Sequence, residues 1–584
     1  MTDTVSYSTE PEDFFYMGVN VPCQSACPAD TNIPAYIRAL SEEAYDDSYE
    51  INRIANILPG VLGRICSRPC EEKCRHGEPE LGKPVNICHI KRAASDYRKR
   101  LPASLVPPLA HLHKSVAIIG SGPAGLAAAH DLSTVGVSVT VYEALPEPGG
   151  MLRYGIPEFR LPRSLLDQEI NRIFEKGVRL VTGTRIGVHT TLETLLADHD
   201  AVLLAAGCYE PNSLDVPGEG LPGVCSGLDF MMDIGSGKTP VVGKRVLVIG
   251  AGFTAFDCAR SALRLGAEDV AICLRRTEED LAVTREEVLE TKIEGVKIHS
   301  LMLSRRVVGA RKVERVEFVR TRPGAPQADG KSSIAPIEGS EFFLPADSVI
   351  VAAGQKAASF KYSVKGPGEK GQEVMADQAS SYGTTVPGIY MAGDCVTGPS
   401  TVIEAIGMGR RAAERILRDL TGNPFRERVV RMEEVPSTDR RRVWDFLPRR
   451  EMPVLKPLKD RLTRMDKEVE TGLSPENAMA ESKRCYLCYL HYEIDLDRCI
   501  YCRYCIDVAP RDCIKLVDTV KTNDVGAVTG FVETDDWGRV NAVVIDNSRC
   551  IRCGECLRVC PVDCISVTRV ELTERNAAQG DSHG

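Results

Sequence analysis

The chain has 584 residues, 43% hydrophobic and 26% charged, with a net charge of -9 and a pI near 5.8. At roughly 100 to 200 residues per domain the length implies three to five domains, and the composition excludes a largely disordered or collagen-like chain. The acidic balance argues against a nucleic-acid partner, and no run of about 18 apolar residues could span a bilayer.

Of the 22 cysteines, six lie between Cys23 and Cys88, five are scattered through the middle, and eleven lie between Cys485 and Cys564. The N-terminus is acidic (Glu10, Glu12, Asp13) and has no apolar leader, so the cysteines read as cytoplasmic thiolates. Thiolate clusters in such a chain usually hold metal.

In chain order, the first cysteines sit in CQSACP, GRICSRPCEEKC and ICHIKRAA among short helical patterns, with a helix expected over 33–43 after the cap signals Asp30 to Asn32. A proline-containing connector, RLPASLVPPLAHLHK, leads into a βαβ pattern from Ser115 to about Gly422. There SVAIIG and KRVLVIG read as buried parallel strands running into glycines.

The first fingerprint is GSGPAG, residues Gly120, Ser121, Gly122, Pro123, Ala124 and Gly125. Gly120 permits the tight turn, Gly122 admits a pyrophosphate to the backbone, and Gly125 lets helix and strand pack closely. Glu143 ends the next strand 23 residues after Gly120, where a carboxylate accepts hydrogen bonds from ribose hydroxyls. In the second fingerprint, GAGFTA, Gly250, Gly252, Phe253, Thr254 and Ala255 open a helix in the same way. The same interval from Gly250 ends at Cys273, and Arg275 and Arg276 follow shortly in place of an acid. Two guanidiniums favour a 2′-phosphate, so the first fold is expected to hold FAD and the second NADP(H) in preference to NAD(H). The alternative is that both arginines project into solvent.

GGMLRYGIPEFRLP from Gly149, DAVLLAAG from Asp200, RRTEEDLA from Arg275 and PGIYMAGDCVTGPSTVIEAIGMGRRAA from Pro387 resemble the small subunit of bacterial glutamate synthase. The same motifs recur in dihydropyrimidine dehydrogenase and the larger subunit of NADH-dependent ferredoxin:NADP oxidoreductase. The resemblance covers nearly all of residues 20 to 420. It implies that Gly393 and Asp394 hold the FAD ribityl chain, that the stretch from Gly149 to Pro157, with Gly150 and Met151, lines the flavin, and that Val402 adjoins it. Phe253 departs from the Asn that relatives often carry.

The resemblance also extends to the N-terminal cysteines, where it implies one [4Fe–4S] cluster held by Cys27, Cys66 and Cys70. Cys88 is the preferred fourth ligand, with Cys74 and Cys23 as rivals and a zinc site as the alternative. Relatives with two clusters carry a further Cys-x-x-Cys upstream of the position of Cys23, which this chain lacks. Thioredoxin and glutathione reductases share the fold but need a redox dithiol. Cys208, Cys225, Cys258, Cys273 and Cys395 form no comparably spaced pair, and most read as buried thiols.

A charged, proline-bearing stretch from Pro424, with Arg440 to Arg442 at its centre, reads as a linker. RCIYCRYCIDVAPRDCI from Arg498 then repeats as RCIRCGECLRVCPVDCI from Arg549, and resembles a bacterial two-cluster ferredoxin. By the ferredoxin rule Cys499, Cys502 and Cys505 share a [4Fe–4S] cluster with Cys560. For Cys550, Cys553 and Cys556 the crossing position is Ala509. Cys513 could complete a [4Fe–4S] set there, a [3Fe–4S] cluster could do without it, and Cys485 and Cys488 are a possible outside source.

The expected architecture is α/β: an α-helical iron–sulfur domain (1–110), an FAD domain (111–240 and 351–423) interrupted by an NAD(P) domain (241–350), a linker (424–484) and an α+β ferredoxin-like domain (485–584). FAD is the converter between hydride and single electrons. The expectation is an NAD(P)H oxidoreductase subunit exchanging electrons with ferredoxin or with catalytic subunits of a larger complex. A freestanding or bifurcating NADPH:ferredoxin oxidoreductase, and a non-catalytic redox scaffold or sensor, are the alternatives.

Overall fold

The computed structural model describes residues 14–79, 81–100, 112–281, 283–326, 332–357, 363–364, 372–376, 382–422, 426–436, 458–462, 464–522 and 528–576. Most of the proline-containing connector, and Arg440 to Arg442, lie outside the described residues.

Two parallel five-stranded sheets form the middle of the molecule. The first runs in the order Ile389–Met391, Ala201–Leu204, Ser115–Ile119, Ser138–Tyr142, Arg179–Val181. Its central strands are buried on both faces, which explains their continuous apolar sequence. The second runs Val224–Ser226, Ser348–Val351, Arg245–Ile249, Asp269–Cys273, Lys297–His299. It is inserted between Ala201–Leu204 and Ile389–Met391 of the first, and Met302–Val308, Arg315–Pro326, Ser332–Pro336 and Phe342–Pro345 form a separate antiparallel sheet packed beside it. Because Val224–Ser226 pairs within the second sheet, that unit begins before the expected boundary at 241.

The long helix Val402–Thr421 starts with a capping box between Thr401 and Glu404 and packs on Pro123–Thr134. The helices approach so closely that a Cβ on Gly409 would lie 2.1 Å from the Ala124 carbonyl oxygen. This contact brings the C-terminal end of the interrupted domain back to its first glycine turn.

At the N-terminus the helix Ile33–Ser41 is capped by Asn32, whose side chain accepts from the Ala35 amide. With Tyr45–Asn56, Pro59–Ile65 and Ile87–Tyr97 it forms a helical domain. The stretch expected to be a linker supplies structure to both ends. Arg426–Glu434 pairs antiparallel with Ile565–Asn576, which also pairs with Leu490–Ile494, and Pro475–Ser482 packs on Ile33–Ser41 and Ile87–Tyr97. A second C-terminal sheet joins Val528–Glu533, Ile514–Thr522 and Ala542–Ile545.

Candidate flavin, nicotinamide and iron–sulfur sites

The first glycine turn opens onto a cavity of about 360 Å³. Gly120, Gly122, Pro123 and Ala124 form one wall, Glu143, Gly150 and Met151 another, and Gly393, Asp394 and Val402 a third. Gly120 has φ of 104°, and a Cβ there would lie 2.4 Å from the Ala205 carbonyl oxygen. Gly125 stands behind the turn, where a Cβ would collide with the Gly120 oxygen at 2.0 Å. Gly122 faces open space, with nothing within 4 Å of a Cβ position, as close approach of a pyrophosphate requires. These features fit FAD.

Glu143 is buried and pins the turn, accepting from the Ser121 amide at 2.9 Å, the Ser121 hydroxyl at 2.5 Å and the Leu145 amide at 2.8 Å. Burial lifts Asp394 above its ordinary value, against hydrogen bonds donated by the Ser400 hydroxyl at 2.6 Å and amide at 3.2 Å.

The second fingerprint faces the same cavity. Phe253 and Thr254 contribute to its wall, and Gly252, like Gly122, faces open space. A Cβ on Gly250 would lie 2.2 Å from the Ala352 carbonyl oxygen, and Ala255 is fully buried. Arg160 donates to both oxygens of Asp257 at 2.9 Å and lies over the Phe253 ring at 5.7 Å, so it braces the turn. Arg275 and Arg276 follow the strand Asp269–Cys273, away from the cavity wall. Arg275 is exposed, Arg276 is half-buried with an unpartnered Nε, and no ion pair engages either among the described residues.

The middle cysteines are held as thiols. Burial pushes Cys208 and Cys273 up to about 12 and Cys395 up to about 11, and raises Cys258 further, while Cys225 is exposed. Cys208 and Cys395 are neighbours, but each donates to backbone: Cys208 to the Asp394 oxygen at 3.2 Å, Cys395 to the Ala392 oxygen at 3.3 Å.

The N-terminal cysteines divide into two groups. Cys66, Cys70 and Cys88 lie together, and Cys27 joins them around the buried Lys91. Burial works against the Lys91 charge, yet the four thiolates raise its pKa. A buried ammonium facing four sulfurs suits an anionic thiolate cluster. Cys23 and Cys74 stand apart from this group and face Cys485 and Cys488. Ile65 and Ser67, on either side of Cys66, are part of the flavin cavity wall.

At the other end Cys499, Cys502, Cys505 and Cys560 gather together, with Cys564 3.5 Å from Cys560. Cys513 lines one small cavity together with Cys550, Cys553 and Cys556. The neighbouring Cys513 thiol and the Arg552 guanidinium hold Cys550 below the ordinary thiol range, against its burial. The group around Cys550 thus has Cys513 as its nearby fourth thiol, while Cys485 and Cys488 lie toward the N-terminal domain. Among the described residues no three His, Cys, Asp or Glu side chains converge as a single metal ion would require.

Residues 114–409 match the family model described as pyridine nucleotide-disulphide oxidoreductase, which spans half of the chain. The chain belongs to this family. Residues 17–102 match dihydropyrimidine dehydrogenase domain II, 4Fe-4S cluster, and residues 498–564 match a 4Fe-4S dicluster domain. Flavin, NADP and iron–sulfur domains are thus present in one oxidoreductase chain. Among family relatives, the NADP(+)-dependent formate dehydrogenase subunit beta of Moorella thermoacetica is 37% identical over 81% of this chain and 71% of its own length. The NADPH-Fe(3+) oxidoreductase subunit beta of Geobacter sulfurreducens is 36% identical over 80% and 75%. The glutamate synthase [NADPH] small chain of Escherichia coli is 35% identical over 68% and 88%. No helix among the described residues is long and apolar enough to cross a membrane.

Sequence reasoning missed the wall residues Ile65 and Ser67, the brace formed by Arg160 and Asp257, and the counter-charge Lys91. Only tertiary packing places the helix Pro59–Ile65 beside the flavin cavity, so no local motif announces it. ICHIKRAA does place a lysine three residues after Cys88, one helical turn away, and that signal could have been read.

Proposed function

We propose that the chain is the NADPH-oxidising subunit of a larger redox complex, exchanging electrons between NADPH and iron–sulfur clusters through FAD. One observation carries this reading: a single cavity has the first glycine turn, the second glycine turn and the residues flanking Cys66 in its wall. FAD, when bound, supplies the conversion between two-electron hydride chemistry and single-electron transfer.

The chain's own residues provide binding and positioning. Gly122 and the N-terminus of Pro123–Thr134 receive the pyrophosphate, Glu143 orients the ribose, and Asp394 orients the ribityl hydroxyls. Gly150 and Met151 form the floor over which the nicotinamide stacks. Gly252 admits the second pyrophosphate, and Arg275 and Arg276 select the 2′-phosphate. Cys27, Cys66, Cys70 and Cys88 hold the cluster nearest the flavin. Cys513 completes the set of Cys550, Cys553 and Cys556, which favours a [4Fe–4S] cluster over a three-iron one, and Cys499, Cys502, Cys505 and Cys560 hold another. The thiolate sets suit the cytoplasm, where thiols stay reduced.

The relatives' names support a subunit role, since two are beta subunits and one is a small chain. Anaerobic mixing with NADPH should bleach the flavin absorbance and then the broad iron–sulfur absorbance. A flavin that stays oxidised sinks the proposal. Co-purification from the native host should bring down a partner redox subunit.

A further inference from the structure

Ten cysteines have no place in the three clusters above, and four of them fall into one group. Cys23 and Cys74 lie in the N-terminal domain, and Cys485 and Cys488 lie more than 400 residues later in RCYLC. We propose that these four thiolates ligate a further iron–sulfur cluster, assembled between the N-terminal helical domain and the loop that precedes the ferredoxin module.

The first argument is the shape of the loop. In each ferredoxin repeat the second residue after the leading cysteine is left-handed, and its amide donates to that cysteine's sulfur. Tyr501 does so to Cys499 with φ of 54°, and Arg552 to Cys550 with φ of 55°, both at 3.4 Å. Arg68 repeats the arrangement on Cys66, with φ of 65° and the same distance. In RCYLC, Leu487 has φ of 50° and its amide lies 3.4 Å from the Cys485 sulfur. A leucine in this region is strained, and the strain persists only where surroundings enforce it. The loop at 485–488 therefore has the backbone of a cluster-ligating loop. The Leu487 amide is the N–H donor to a sulfur at this site. Such N–H donors stabilise thiolate ligands.

The second argument is how the loop is held. Arg484, 1% exposed, donates to the Lys83 oxygen at 2.7 Å and to Glu481 at 2.6 Å, and Glu481 accepts from the Asn86 amide at 2.9 Å. Tyr486 stacks on His76 at 4.8 Å. These contacts fix RCYLC against the segment that carries Cys74. Cys23 lies in the helix Pro22–Ser25, which packs on Pro69–Glu72 just ahead of Cys74. Cys488, Cys485 and Cys74 are the thiols whose charge acts most strongly on Cys23.

The third argument is position. The fully buried Tyr36 is faced by Cys70, Cys88 and Cys27 of the flavin-side group and by Cys23 of this one. Tyr16 is faced by both Cys488 and Cys550. The buried Arg552 donates to the Cys488 oxygen at 3.0 Å and also to the Cys550 oxygen. Cys556 in turn faces Cys505. The four groups thus stand in a row from the flavin cavity to the ferredoxin module, and this one is the link between the two domains. In this respect the inference rests on the proposed function: one NADPH gives NADP+, a proton and two electrons, which pass singly along the row and reduce two molecules of a one-electron acceptor.

The test is iron and acid-labile sulfide per chain in anaerobically purified holoprotein. Four cubane clusters give about sixteen iron, and Cys485→Ser with Cys488→Ser should lower this to about twelve. Flavin content and NADPH bleaching should stay unchanged, which separates failure here from failure of the flavin reading. Cys564→Ser should keep the full count. If the double variant is insoluble, alkylation of the wild-type holoprotein decides. Cys225, which is exposed, should react at once, and Cys485 and Cys488 only after chelation under native conditions strips the iron. An unchanged iron count in the double variant, alkylation of Cys485 and Cys488 with all iron retained, or zinc in place of four of the iron atoms would each overturn the assignment.

Discussion

The flavin half and the cysteine-rich ends solve the same problem, holding a cofactor, in opposite ways. Around the flavin the key groups come in short runs: Gly120 to Gly125 carries its own turn, helix and phosphate approach. Each thiolate group combines a short run with cysteines from elsewhere. Cys88 comes to Cys66 and Cys70 from another helix, Cys560 crosses between ferredoxin repeats, and Cys23 meets Cys488 across most of the chain. A run of sequence can specify a nucleotide turn because one helix N-terminus and one gap suffice. A cubane needs four thiolates from several directions, and those directions exist only after folding.

The sharpest way to break the comparison is to remove a nucleotide site without disturbing the fold. Gly122→Val adds atoms into open space, so the chain should fold and keep its iron, yet bind no flavin and lose NADPH oxidation entirely, as absorbance and a steady-state assay will show. Gly125→Val is the counterpart: it collides with the Gly120 oxygen and should reduce soluble yield as well. Next in size is Cys66→Ser, beside the cavity wall. Flavin bleaching by NADPH should survive in stopped-flow, while reduction of an external one-electron acceptor falls by about 100-fold or more.

Arg275→Glu with Arg276→Glu should shift the ratio of kcat/KM for NADPH over NADH by about tenfold or more, chiefly through the KM for NADPH. A ratio that does not move would mean that both guanidiniums point to solvent.

The smallest effect is in pH. Burial lowers His130, in the flavin half, and His491, at the ferredoxin junction, to about 4. Each is neutral in the fold but takes up a proton near 6.5 once unfolded. The stability that each contributes is therefore complete above about pH 6.5 and lost as pH falls toward 4. From pH 7 to 5 the loss should be about 1 to 2 kcal/mol per histidine, read from denaturation midpoints. His491→Gln should remove the share of the slope belonging to the junction, where Tyr16 meets His491 at 2.7 Å.

The same contrast explains what the sequence made legible. Both glycine turns, the helix after Asn32 and the doubled ferredoxin spacing are local patterns, and each can be read without a neighbour. The partner of Cys550 could not be, because Cys513 and Cys564 occupy equivalent places in the repeat and only packing distinguishes their roles. Nor could the destination of RCYLC, since it depends on Arg484 reaching the Lys83 carbonyl. The stretch after Pro424 misled for a different reason: an exposed charged strand such as Arg426–Glu434 has the composition of a linker.

That strand has a mechanical consequence. It pairs with Ile565–Asn576 along its whole length, and Arg75 of the N-terminal domain donates to the Asn547 carbonyl at 2.7 Å. Held at two ends, the ferredoxin module is a fixed socket and not a swinging arm. Whatever plugs into it must arrive with its own acceptor already at the rim.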